Sequence, residues 1–230
     1  MIIVTGSGRS GTKTLAKLLG GHHEFRSSYI VEKHFTRAVG GEDPFSSREE
    51  RLSAALDLFQ GIDEETFIDS SNLHIHYLDA IFLLFPKARF ILTLRNGKDF
   101  VRSACSRKWH KQETYGTMPL PADPFYDRWQ YMSPLQKNAW IWSYRNGKAL
   151  CGMRIIPASQ KLTIRIEEIA EPRTIRRLEG FVERKIEVKE VRPWNANPSF
   201  DMPPPENWTE EMKASFDEIA APMMRRLGYY

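Results

Sequence analysis

The sequence predicts an α/β fold: a parallel sheet covered by helices on both faces, in three layers. Two aliphatic runs, Ile2-Ile3-Val4-Thr5 and Arg89-Phe90-Ile91-Leu92-Thr93-Leu94, read as buried strands, and each leads through a turn into a helical pattern. Further strand candidates at 66–69 and 162–166 are separated by stretches of helical spacing. Strands that alternate with helices pair in parallel, because each helix serves as the crossover. The first strand also meets a glycine-rich turn at once, Gly6-Ser7-Gly8-Arg9-Ser10-Gly11-Thr12.

The remaining elements follow in order. Leu15, Leu18 and Leu19 mark a first helix that Gly20-Gly21 ends. His22-His23 then read as a helix end or loop, and Tyr29-Ile30-Val31 as an apolar strand run that ends at Glu32. Ser47-Arg48-Glu49-Glu50 is a capping box before a helix through Leu52, Ala55, Leu56 and Phe59, closed by Gly61. Apolar residues over 73–85 keep helical spacing up to Pro86, and another helix starts at about Lys98. Ser133-Pro134-Leu135-Gln136 supplies a cap, a proline at the first position and a box partner for a helix that runs to about Cys151-Gly152. Pro172 opens a helix through Ile175, Leu178, Phe181 and Val182; Pro203-Pro204-Pro205 is a stiff linker; Thr209 caps a last helix that stops at Leu227-Gly228. Residues 107–134 hold Trp109, Tyr115, Phe125, Tyr126, Trp129 and Tyr131 among prolines, and read as an irregular excursion or lid. No repeat divides the chain, so a single domain over 1–230 is expected.

Bulk properties narrow the function classes. A hydrophobic share of 41% and a charged share of 27% suit an ordinary globular protein. The net charge of +4 favours an anionic ligand but is too small to argue for nucleic acid. The pairs Arg176-Arg177 and Arg225-Arg226 read as solvated helix faces. Cys105 and Cys151 make neither a disulfide framework nor a zinc site. No basic leader precedes Ile2, and no apolar stretch is long enough to span a bilayer, so a cytoplasmic location is expected.

The glycine turn carries the chemistry. A strand that feeds a helix through such a turn presents backbone N–H groups and the helix dipole to one anion. Ser10, Gly11, Thr12, Lys13 and Thr14 would supply those groups, with Arg9 and Lys13 as nearby cations. A nucleoside triphosphatase loop needs Lys directly after its second glycine. Here Thr12 stands in that place and Lys13 comes one residue late, which turns its side chain by about 100° around the helix. The loop therefore fits a phosphate without a metal-bridged triphosphate.

These residues resemble the sulfotransferase family that uses 3′-phosphoadenosine 5′-phosphosulfate (PAPS). Gly8-Arg9-Ser10-Gly11-Thr12-Lys13-Thr14-Leu15 is similar to the family's 5′-phosphosulfate loop, with Lys13 where a second Thr is usual. Leu84-Phe85-Pro86-Lys87-Ala88-Arg89-Phe90-Ile91 is similar to its second motif, followed by Arg95 and, eight residues on, Ser103. The resemblance implies that Arg95 and Ser103 bind the donor's 3′-phosphate, and convergence on one phosphate also suits a strand-end Arg and a Ser on the next helix. Weaker likenesses are Thr163-Ile164-Arg165-Ile166-Glu167-Glu168-Ile169, with Ile166 where Tyr is usual, the set Trp140, Trp142 and Asn146, and the closing Leu227-Gly228-Tyr229. The implied fold is the P-loop-like sulfotransferase fold. The implied chemistry is sulfuryl transfer from PAPS to an acceptor hydroxyl or amine, with 3′,5′-adenosine bisphosphate (PAP) as product and no metal.

Within that resemblance Arg9 is the candidate to offset the leaving phosphate's charge. Glu32 or His34 is the candidate base, because the family places a His or Glu after the first helix; the competing reading of Glu32 is a surface Glu-Lys pair. His74 and His76, two apart on an expected helix, face different sides and make a poor metal pair. The aromatic excursion suits a carbohydrate or small-metabolite acceptor, and the oligomeric state is not readable. Two rivals stay open: a P-loop kinase, whose acidic magnesium strand would have to be 66–69, and a nucleotide-binding module without turnover.

Overall fold

The computed structural model describes residues 1–35, 43–112, 114–187 and 200–230. Five parallel strands form one sheet: β1 (Ile2–Gly6), β2 (His22–His23), β3 (Ile68–Ser70), β4 (Arg89–Leu94) and β5 (Lys161–Arg165). Their order is β2-β3-β1-β4-β5. Val4 of β1 lies opposite Ser70 on one side and Ile91 on the other, so β1 is an interior strand. Parallel pairing brings the carboxyl ends Gly6, Ser70, Leu94 and Arg165 to one edge, where ligands of open α/β sheets sit.

The helices are α1 (Thr12–Leu18), α2 (Ser27–Ile30), α3 (Arg48–Phe59), α4 (Leu78–Leu84), α5 (Gly97–Ser106), α6 (Pro134–Gly152), α7 (Pro172–Val182) and α8 (Glu210–Arg226). Alternation along each strand sends side chains to both faces. Val4, Ile91 and Ile164 pack with Leu15 and Leu19 around α1 and with Leu178 and Val182 of α7. Ile3, Phe90 and Leu92 face the other way, into a larger core with Leu58 of α3, Ile81 of α4, Phe100 of α5, Trp142 of α6 and Phe216 of α8. The expected three layers are present, and both capping boxes form, at Ser47 with Glu50 and at Ser133 with Gln136.

The chain departs from the sequence expectation in three places. Residues 29–31 are helical rather than a strand: α2 runs into a π-helical turn, Val31–Phe35. Ile30 and His34, four apart, are both buried, a helical spacing hidden by the short apolar run. His22 and His23 are not a loop but form β2, opposite Asp69 and Ser70, and a two-residue strand has no periodicity to read. The helix expected over 73–85 is interrupted at Tyr77, where a φ of −143° separates a 3-10 turn, Asn72–His76, from α4.

Residues 107–134 contain two 3-10 turns, Trp109–Lys111 and Trp129–Tyr131, and lean on α6. Trp140 Nε1 donates to Asp123, Trp129 stands edge-on to Trp140, and Tyr144 Oη donates to Tyr115 Oη at 3.2 Å. Across the sheet edge, Arg165 donates to the carbonyls of Leu227 and Gly228 and stacks on Tyr229, so two motifs far apart in sequence meet. Cys105 is buried, with Asn138 Nδ2 3.1 Å from its sulfur, and burial pushes its thiol up to about 11. Cys151 is exposed. Among the described residues no helix is long and apolar enough to cross a membrane.

The buried Trp142 fixes the functional edge, because its Nε1 donates at 3.0 Å to the carbonyl of Arg95 between β4 and α5. Trp142→Phe keeps a ring there but leaves that carbonyl without its donor. Urea unfolding should show a loss of about 1–3 kcal/mol; an unchanged midpoint would remove Trp142 from this role.

Candidate functional site

The glycine loop leaves β1 at the centre of the sheet's carboxyl edge. Gly8 (φ +79°), Arg9 (φ +50°) and Gly11 (φ +83°) are left-handed, which coils the chain tightly. A non-glycine residue held in this region costs about 1–3 kcal/mol, and such strain clusters at functional sites. The amides of Gly8, Arg9, Ser10 and Gly11 donate to no protein group among the described residues. Gly11 abuts Ile166, where a Cβ would lie 2.1 Å from Ile166 Cδ1. Ile166 therefore walls the loop on the side of β5.

Ser10 turns inward. Thr93 Oγ1 spends its proton on the carbonyl of Thr5 at 3.0 Å, so the Ser10 hydroxyl, 3.0 Å away, is the donor of that pair. Ser10 thus pins the loop to β4. Thr12, Lys13 and Thr14 occupy the first turn of α1, Thr12 buried and the other two half-buried.

Arg9, Arg95 and Ser103 come together although Arg9 lies far from the others in sequence. Arg9 Nε donates to Ser103 Oγ at 2.9 Å, and Arg95 Nη1 donates to the carbonyl of Arg9 at 2.7 Å. Among the described residues no carboxylate forms an ion pair with either guanidinium. Burial, followed by the nearby charges of Arg107 and Arg95, lowers the Arg9 guanidinium below its ordinary range; burial does the same to Arg95. Asp99 and Glu167 lie near enough to Arg95 to act on its charge but do not pair with it, and guanidinium groups left without ion pairs suit an anionic ligand.

Asp69 sits on β3 beside β1, where a magnesium-binding acid would be expected. It is fully buried and already engaged: Oδ1 accepts from the Phe25 amide, and Oδ2 lies 3.0 Å from His74 Nε2, at ion-pair distance without hydrogen-bond alignment. Among the described residues no group of three or more His, Cys, Asp or Glu is arranged to hold a metal.

The two candidate bases separate. Glu32 is exposed on the π-helical turn and lines a cleft of about 510 Å³ with Glu24, Ser27, Ser28, Asn72 and Leu73. That cleft adjoins the carboxyl end of β3, which Ser71 joins to β1 through its amide on the carbonyl of Val4. His34 is buried, and its Nε2 lies 2.7 Å from Asp57 Oδ2 on α3. Arg145 was not singled out from the sequence, yet it reaches the loop from mid-α6 and donates to the carbonyl of Ser7 at 3.2 Å. Its position between Trp142 and Asn146 was the available signal.

A sulfotransferase-family model matches residues 30–186, which include Glu32, His34, Arg95, Ser103 and Arg145 but not the glycine loop. The fold is similar to a sulfotransferase from Alicyclobacillus acidocaldarius, with TM-score 0.55 and 17% identity over 98% of this chain and 93% of that one. It is also similar to the sulfotransferase domain from the curacin biosynthetic pathway, with TM-score 0.54 and 16% identity over 81% of this chain and 75% of the other. A Mycobacterium tuberculosis sulfotransferase gives TM-score 0.51 and 16% identity over 94% of this chain and 76% of its own. No curated protein sequence matches the chain.

The turn that carries Glu32 and His34 is anchored by Asp57. Burial alone would raise this carboxyl, but hydrogen bonds from Lys33 and His34 hold it below its usual value. A lowered native value means that the stabilisation is complete above about pH 4 and is lost as pH falls through that native value. Asp57→Asn should therefore destabilise at pH 7, and the gap to the wild type should narrow as pH falls through the native value. Urea titrations over a falling pH series test this; a constant gap would mean that Asp57 acts through packing.

Proposed function

The chain belongs to the sulfotransferase family, and on that premise we propose that it transfers a sulfuryl group from PAPS to a hydroxyl or amine of a carbohydrate or small-molecule acceptor. In this reading one domain over 1–230 carries the whole site. The observation that carries the proposal is the joining of Arg9, Arg95 and Ser103 at the glycine loop, with no carboxylate paired to either arginine among the described residues. A doubly phosphorylated donor brings the negative charge that this cluster lacks.

The donor supplies an electrophilic sulfur and a phosphate leaving group. The loop amides and Lys13 bind the 5′ anion, Arg9 offsets charge as it grows on the leaving phosphate, and Arg95 with Ser103 holds the 3′-phosphate. Glu32 accepts the acceptor's proton from the cleft, which shares the sheet's carboxyl edge with the loop. His34 is the second base candidate because it is buried and does not line the cleft. Engagement of Asp69 with His74 and Phe25 counts against the magnesium-dependent kinase reading.

Calorimetry with PAP tests the donor. Binding should occur without magnesium, and tight binding of ATP only with magnesium would select the kinase. Arg95→Ala should weaken PAP by about 10–100-fold, the scale of a charged hydrogen bond, and leave adenosine 5′-phosphosulfate nearly unchanged. Equal losses for both would reduce Arg95 to a structural residue.

Turnover tests the base. Glu32→Gln should cut kcat by about 100-fold or more with donor affinity retained, and His34→Ala should be milder. The reverse ranking would transfer the role to His34.

A further inference from the structure

We infer that Arg145 is a positioning residue of the glycine loop: it orients the Ser7-Gly8 peptide toward the bound anion, and that anion, rather than a carboxylate of the protein, balances its charge. The inference rests on the anion-binding reading above.

Arg145 is only 6% exposed in the middle of α6. Its Nε donates to the carbonyl of Gly116 at 3.0 Å, its Nη1 to the carbonyl of Ser7 at 3.2 Å, and its guanidinium lies 4.7 Å from the centre of the Trp109 ring. Among the described residues no carboxylate pairs with it; Asp43 is held by Lys148 at 3.0 Å. Burial pulls the guanidinium down to about 10, which still leaves it charged at neutral pH. An enclosed charge with neutral partners alone is costly in the free protein, and a ligand of opposite charge removes that cost.

The geometry says which part of the loop feels this charge. A Cβ on Gly8 would lie 3.3 Å from Arg145 Nη1 and 2.6 Å from Trp109 Cη2, so arginine and indole form a floor under Gly8. In a trans peptide the C=O and the following N–H point in opposite directions. Holding the Ser7 oxygen therefore aims the Gly8 N–H away from α6, and a cation on the oxygen strengthens that N–H as a donor. The Gly8 amide donates to no protein group among the described residues.

The competing account makes Arg145 a plain clasp between residues 107–134 and the loop. The two differ in what they predict for anion affinity. A clasp leaves anion affinity alone when it is removed; a charge that the anion balances weakens anion binding when it is removed.

The test compares the wild type with Arg145→Met, Arg145→Gln and Arg145→Lys, using PAP, inorganic pyrophosphate and adenosine as probes. Removing the charge with Met or Gln should weaken PAP and pyrophosphate at least tenfold, spare adenosine, and flatten the salt dependence of PAP binding. Added PAP should raise the melting temperature of the wild type by more than that of either uncharged variant, and Lys should restore part of the affinity. PAP binding within twofold of wild type in either uncharged variant would overturn the inference, as would equal losses for adenosine. If Met does not fold, Gln decides by the same criteria; if neither folds while Lys does, Arg145 is a structural clasp and the inference falls. A wild type that binds pyrophosphate in an Arg145-dependent manner but not PAP would sink the PAPS reading alone. A wild type that binds neither would sink both.

Discussion

Positive charge gathered at the end of β1 without ion-pair partners is the constraint around which the site is organised. Arg9 leaves the glycine loop toward α5 while Arg95 and Arg145 reach that loop from β4 and α6, and the three satisfy themselves on a serine hydroxyl and backbone carbonyls. Guanidinium groups usually resolve burial by pairing with acids. Here Glu167 accepts the amide of Asn96, Asp69 stays with His74 and Phe25, and Asp43 stays with Lys148. Asp99 and Glu167 offset part of the charge of Arg95 from a distance, but none of these acids pairs with the three arginines among the described residues.

The sheet makes that arrangement possible. β1 lies between β3 and β4, and its carboxyl end is held from both sides: Ser10 of the loop reaches Thr93 on β4, and Thr5 Oγ1 of β1 donates to the carbonyl of Ser71 beyond β3. The larger core then carries α6 beneath the edge, where a single helix supplies Trp142 to the carbonyl of Arg95 and Arg145 to the carbonyl of Ser7. Packing and chemistry share this helix, and a change in its register would disturb both.

What the sequence revealed follows from how local each signal is. β4 and α6 were legible to within a residue, because one is an unbroken aliphatic run and the other opens on a complete capping box. The glycine loop was legible because its spacing is itself the geometry. The turn at Glu32 was not: Ile30 and Val31 have strand-like side chains, and only the burial of Ile30 and His34 on one helical face discloses the period. β2 exists through pairing with β3 alone. Arg145 was hidden for another reason. Its place between Trp142 and Asn146 marks only the helix, and its meaning depends on contacts with Ser7 and Gly116, both distant along the chain.

The two thiols differ in a way that can be counted. Cys105 is buried with Asn138 against its sulfur, and its raised pKa leaves almost no thiolate at neutral pH, whereas Cys151 stands exposed near the end of α6. A thiol-specific reagent applied to the native chain thus meets one fast-reacting group, and the second becomes reactive only when the packing of α5 against α6 opens. The number of sulfhydryls that react per chain is therefore a direct gauge of how often this core breathes, with no added label and no engineered residue.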